Sequence, residues 1–153
     1  MRVVNYRSDL SGDEKVLMAV VRAAEIFKRA ISTIFRNQDL SFPQYNVLRV
    51  LDASTDGQSR ITEVSRIMLV PGANMTGIAK RLEKNGFILK KSDIKDERVT
   101  LLEITTKGKE TLKKIEKERD QCLKMMLKGF SHEEKQDLLT KVRRLIKNSQ
   151  KMI

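Results

Sequence analysis

Three times this chain places a serine three residues ahead of a glutamate or glutamine: Ser11-Gly12-Asp13-Glu14, Ser41-Phe42-Pro43-Gln44 and Ser131-His132-Glu133-Glu134. Each is a capping box. The serine oxygen accepts the amide of the third helical residue, whose own side chain reaches back to the serine amide. Three such starts, each leading into apolar residues at three- and four-residue steps, commit the chain to a helical architecture. After the first box, Val16, Val20, Ala23, Phe27, Ala30, Ile31 and Ile34 mark a long amphipathic helix that ends near Asn37. In the second, Pro43 sits where a missing amide hydrogen costs least. Val47, Leu48, Val50 and Leu51 carry that helix on until Ser54-Thr55-Asp56-Gly57 breaks it. The third box opens a last helix expected to turn Leu138, Val142, Leu145 and Ile146 inward.

Shorter elements lie between. Ile61, Val64, Ile67 and Met68 form the buried side of a short helix, Leu69-Val70-Pro71-Gly72 is a turn, and residues 73–85 form a second helix on Met75, Ile78, Ala79 and Leu82. Asn85-Gly86 stops it, since glycine adopts the left-handed conformation cheaply. Two short helices joined in this way read as a helix-turn-helix. Residues 87–91 and 99–104 then read as two strands around a polar, charged tip, and helix-turn-helix plus charged hairpin describes a winged helix. A further helix from Thr106 carries Leu112, Ile115, Cys122, Leu123, Met126, Leu127 and Phe130. The expected fold is mainly α with a small β-wing. Residues 1–40 and 106–153 supply the terminal helices, and residues 41–105 form the winged helix-turn-helix lobe.

Composition removes most enzymology. One His and one Cys cannot make a zinc site of the usual ligands, and a lone cysteine suits a reducing, cytoplasmic interior. No G-x-S-x-G surrounds a serine, and neither G-x-x-x-x-G-K-[ST] nor G-x-G-x-x-G occurs, so no nucleophile elbow or phosphate loop is present. No catalytic residue, metal or cofactor is expected. No apolar run approaches the roughly 18 residues of a membrane span, and the opening residues do not read as an export signal. What stands out is charge: 31 Lys plus Arg against 20 Asp plus Glu, net +11. Polyanion binding is the default use of such an excess. It is unevenly spread, at +1 for residues 1–57, +3 for 58–105 and +7 for 106–153. The basic C-terminal helices therefore leave a rival reading open, a winged-helix module that binds an acidic protein rather than DNA.

If Met75, Ile78, Ala79 and Leu82 face inward, the opposite side of that helix presents Ala73, Asn74, Thr76, Gly77, Lys80, Arg81 and Lys84. Asn can pair with adenine in bidentate fashion and Thr can offer its methyl to thymine, while Lys80 and Arg81 can read guanine or hold phosphate. Arg81 could instead pair across its own helix. Lys84, Lys90 and Lys91 flank the hairpin where a duplex backbone would pass. Cys122 reads as a packing residue and His132 as a helix start.

Residues 74–88 resemble the recognition helix and first wing strand of the MarR (multiple antibiotic resistance regulator) family. Asp93-Ile94-Lys95-Asp96-Glu97-Arg98 is similar to that family's D-x-R-D-x-R wing, Ile104-Thr105-Thr106-Lys107-Gly108 to its L-T-x-x-G, and Phe130-Ser131-His132-Glu133-Glu134 to its L-S-x-E-E. Four matches in order, over residues 41–146, make the resemblance specific. It implies a homodimeric transcription factor, commonly a repressor, whose N-terminal (1–40) and C-terminal (106–153) helices form the dimer interface, and which binds a pseudo-palindrome in double-stranded DNA and is often released by a small aromatic ligand. It also implies wing contacts from Lys95 and Arg98, the latter either on phosphate or orienting the tip through Asp93 or Asp96. Helix-start contacts would come from Ser41, Gln44 and Arg60, and an effector pocket from Phe27, Ile31, Phe35, Tyr45, Leu48 and Met126. Two departures stand out. Lys95 replaces the first wing Arg, losing its planar donor fork, and Gly77 stands where many members carry a base-reading Arg.

Overall fold

The computed structural model describes residues 9–153; the opening residues, read above for an export signal, lie outside that range. Six helices and three short strands follow in the order α1 (Gly12–Arg36), α2 (Phe42–Asp52), β1 (Gln58–Arg60), α3 (Ile61–Met68), α4 (Gly72–Lys84), β2 (Ile88–Ser92), β3 (Thr100–Ile104), α5 (Thr106–Met126) and α6 (His132–Gln150). All three capping boxes form in both directions, as at α2, where Ser41 N–H donates to Gln44 Oε1 at 2.8 Å and Gln44 N–H to Ser41 Oγ at 3.3 Å. The sheet is antiparallel in the order β1-β3-β2, with Ile88 opposite Ile104 and Ser92 opposite Thr100. β1 was not foreseen. Its residues, Gln58, Ser59 and Arg60, offer no apolar alternation to read, and the strand exists because β3 supplies a backbone edge to pair with.

Side chains from α1, α2, α3, α4, the sheet and the first half of α5 close one core, including Phe35, Leu48, Leu51, Val64, Met75, Leu82, Ile88, Leu102 and Ile115. Gly86 (φ 77°) ends α4 in a Schellman motif, its N–H donating to Glu83 O at 2.9 Å and that of Phe87 to Leu82 O at 3.0 Å. Thr105 then joins two helix ends: its hydroxyl donates to Gly86 O at 2.7 Å and accepts Gly108 N–H at 3.1 Å, capping α5. Lys107 Nζ reaches Asn85 O at 2.7 Å and lies 4.7 Å from the centre of the Phe87 ring. The C-terminal end of α4 is thereby tied to the start of α5, while its body packs on α2, α3 and β2.

On four helices, residues expected to turn inward are left exposed among the described residues. Ile67, expected on the buried side of α3, is 63% exposed, because an eight-residue helix packs only the stripe around Val64. Val16 and Val20 of the expected stripe stand in solvent on the first half of α1, beside Leu17 and Val21. The same holds for α6, where Leu138 and Ile146 are exposed and no residue is buried. Met126 at the end of α5 and Leu127 just beyond it are exposed too. Isolated helices draw little stability from propensity, so a 19-residue amphipathic helix with no buried residue is a helix awaiting a partner.

Candidate nucleic-acid interface

On α4 the apolar spacing works as read: Met75, Ile78, Ala79 and Leu82 are buried, leaving Ala73, Asn74, Thr76, Lys80, Arg81 and Lys84 exposed on the other side, with Gly77 half-exposed among them. Thr76 Oγ1 donates back to Gly72 O at 3.1 Å, so its hydroxyl proton is used inside the helix and its methyl remains for an outside partner. Among the described residues, no carboxylate pairs with Lys80, Arg81 or Lys84, and Arg81 makes no bridge along its helix. Unpaired cations beside short hydrogen-bonding side chains suit a surface that neutralises phosphate and touches base edges.

The wing is held from within. Asp93 Oδ1 accepts Lys95 N–H at 2.9 Å and Asp96 Oδ1 accepts Arg98 N–H at 3.0 Å, while Asp93 and Val99 amides close the loop on Val99 O and Asp96 O, both at 2.9 Å. Asp93 Oδ2 also pairs with Arg60 Nη2 at 3.6 Å. The two aspartates thus serve backbone amides and Arg60, not the Arg98 guanidinium, which corrects the expectation that Arg98 orients the tip through them. Lys95 and Arg98 are left exposed without carboxylate partners among the described residues. Lys90 leans on Glu83 at 3.6 Å and Lys91 pairs with Glu103 across the strands. Both are part-committed, unlike Lys95.

At the helix starts the candidates separate. Ser41 is exposed, but its hydroxyl is engaged in the α2 cap. Gln44 is buried, with its amide oxygen on Ser41 N–H, so it serves the cap and the core and not the surface shared by α4 and the wing. Arg60 precedes α3 and faces the wing base through Asp93.

The six residues considered for an effector pocket are spread over core and surface among the described residues. Ile31, Phe35, Tyr45 and Leu48 are core, Phe27 is half-buried and Met126 is exposed. The Phe35 and Tyr45 rings stack at 3.8 Å between centroids with 14° between planes. Tyr45 has a partner that was not anticipated. Its hydroxyl accepts Arg119 Nη1–H at 3.2 Å, and Arg119 Nε and Nη2 also donate to Asp120 Oδ1. Burial works against the charge on Arg119, but the hydrogen bonds it donates to Tyr45 and Asp120 lift its proton affinity above the ordinary guanidinium value. The signal was present: a tyrosine on an apolar stripe needs a donor or acceptor for its hydroxyl. A cavity of about 260 Å³ opens beside this bond, between Arg49 and Asp52 of α2 and Lys109, Lys113 and Glu116 of α5.

Residues 29–115 match the family described as "Transcriptional regulator SarA/Rot". The HTH-type transcriptional regulator TtmR of Methylorubrum extorquens is 33% identical over 97 residues, 63% of this chain and 49% of TtmR. The uncharacterized HTH-type transcriptional regulator YkoM of Bacillus subtilis is 26% identical over 152 residues, 94% of this chain and 97% of YkoM. This chain therefore spans about half the length of the first relative and nearly all of the second. In fold it is similar to Sco3205 of Streptomyces coelicolor, a MarR family transcriptional regulator solved in complex with DNA. That likeness has a TM-score of 0.81 at 20% identity and covers 95% of this chain and 92% of that one.

Proposed function

The chain belongs to the SarA/Rot family of transcriptional regulators, built on the MarR-type winged helix-turn-helix, and from that premise we propose that two copies act as one DNA-reading unit. The uncovered faces of α1, α5 and α6 would meet their counterparts in the second copy, burying Val16, Val20, Leu138 and Ile146. Each α4 would lie in a major groove, the two grooves about 34–36 Å apart on one side of the duplex. Such two-fold symmetry calls for a pseudo-palindromic site. Asn74, Thr76, Lys80 and Arg81 would meet base edges, and Lys84, Lys90, Lys91, Lys95 and Arg98 the backbone around the wing. The expected outcome at a promoter is repression, in the cytoplasm. No helix among the described residues is long and apolar enough to cross a membrane. A small aromatic effector at the junction of α1, α2 and α5 would have to part the Phe35–Tyr45 stack, and so would move α2 against α5.

One observation supports this reading: the exposed face of α4 sets base-competent side chains beside three cations without carboxylate partners among the described residues, and a braced wing adds two more. The test is a fluorescence-anisotropy titration of a random-sequence duplex, followed by selection from that pool. Binding that weakens steeply with salt, and enrichment of a two-fold symmetric sequence, support it. A protein that stays monomeric and enriches nothing at low ionic strength sinks it.

A further inference from the structure

Gly77 sits in the middle of α4, where a glycine has no intramolecular reason to be. It is not among the glycines with positive φ, which are Gly57, Gly86 and Gly129. It is not at a helix end, since α4 runs from Gly72 to Lys84. Nor is it squeezed: a Cβ built on it meets nothing within 4 Å. Gly108 shows the contrast, because a Cβ there would come within 2.6 Å of Phe87 O and 2.7 Å of Ile104 Cγ1. After proline, glycine is the least favourable residue in a helix interior, so at Gly77 the chain gives up stability for nothing it gains in its own fold. The need for a bare backbone must lie outside the molecule.

We infer that Gly77 sets how deep α4 sits in the duplex, its missing side chain letting the helix backbone rest against base-pair edges. Three observations converge on this. Gly77 forms a recess on the exposed face, between Ala73 and Asn74 one turn earlier and Lys80 and Arg81 one turn later. The flanking cations Lys80 and Arg81 have no carboxylate partners among the described residues, which leaves their charge free to meet a polyanion. The candidate readers Asn74 and Thr76 are short, and short side chains reach base edges only if the backbone comes close; a helix reading with Arg alone could stand further off. Replacing the base-reading Arg of the resembling family by glycine thus changes how the groove is read, from a long side chain to close fit.

The inference rests on the proposed DNA-binding function, and its test separates the two. A duplex selected by the wild-type protein, and a scrambled duplex of the same length, are titrated with wild type and Gly77→Ala, and thermal unfolding of both proteins is followed by circular dichroism. The expected result is a melting temperature raised by ~2–4 °C. Affinity for the selected duplex falls about tenfold or more, while the scrambled duplex, held by charge alone, changes by less than about twofold. A variant that holds the selected duplex as tightly as wild type overturns the inference and leaves the DNA-binding function standing. So does a lowered melting temperature, which would mean that the fold itself needs the glycine. If wild type enriches no duplex at all, the proposed function fails and takes this inference with it.

Discussion

Replacing Lys95 with Ala tests the electrostatic part of the interface quantitatively. Each protomer presents five exposed cations on α4 and the wing without a carboxylate partner among the described residues: Lys80, Arg81, Lys84, Lys95 and Arg98. If each meets a phosphate, a dimer neutralises up to ten, and log K should fall with log salt at a slope of about −9. Between 50 and 200 mM salt that is roughly five orders of magnitude in affinity. Lys95→Ala removes two of these charges per dimer, so the slope should become shallower by about 1.8, and the same salt step should cost roughly four orders. Fluorescence anisotropy on a labelled duplex at four salt concentrations resolves that change. Lys141→Ala is the control, because Lys141 is held by Asp137 at 2.6 Å on α6. Its slope should equal that of wild type. An unchanged slope for Lys95→Ala, or an equal change for Lys141→Ala, would refute the placement of the duplex against α4 and the wing.

Three further outcomes are expected. Tyr45→Phe removes the acceptor for Arg119 Nη1, a bond to a charged donor, and should lower stability by ~1.5–3 kcal/mol in urea unfolding with little change in m. Gly108→Ala forces a methyl against Phe87 O and Ile104 and should destabilise by about 1–3 kcal/mol, read as a lower midpoint in urea unfolding. Leu138→Asp places a charge on the uncovered face of α6, and sedimentation should show the dimer giving way to monomer at micromolar concentration, while an unaltered dimer would place the interface elsewhere.

Helix starts, helix order and the polar face of α4 could be read from residue order, because capping boxes, 3.6-residue apolar spacing and a Gly stop are local rules satisfied within a few residues. The same holds for the division of α4 into Met75, Ile78, Ala79 and Leu82 inside against Asn74, Thr76, Lys80 and Arg81 outside. Other features depend on residues far apart in the chain. β1 exists only because β3 offers it an edge, and Tyr45 meets Arg119 across 74 positions of sequence. Asp93 is claimed by Arg60, which no local pattern could distinguish from Arg98. An apolar stripe says that a helix must be covered, but not by what, and so α6 read as inward although none of its residues is buried among the described residues. Spacing along the chain dictates which faces are apolar, since a side chain's direction follows from its position in a helix; which partners meet those faces is set by packing, since contact energy depends on neighbours that only the folded chain, or a second copy of it, brings within reach.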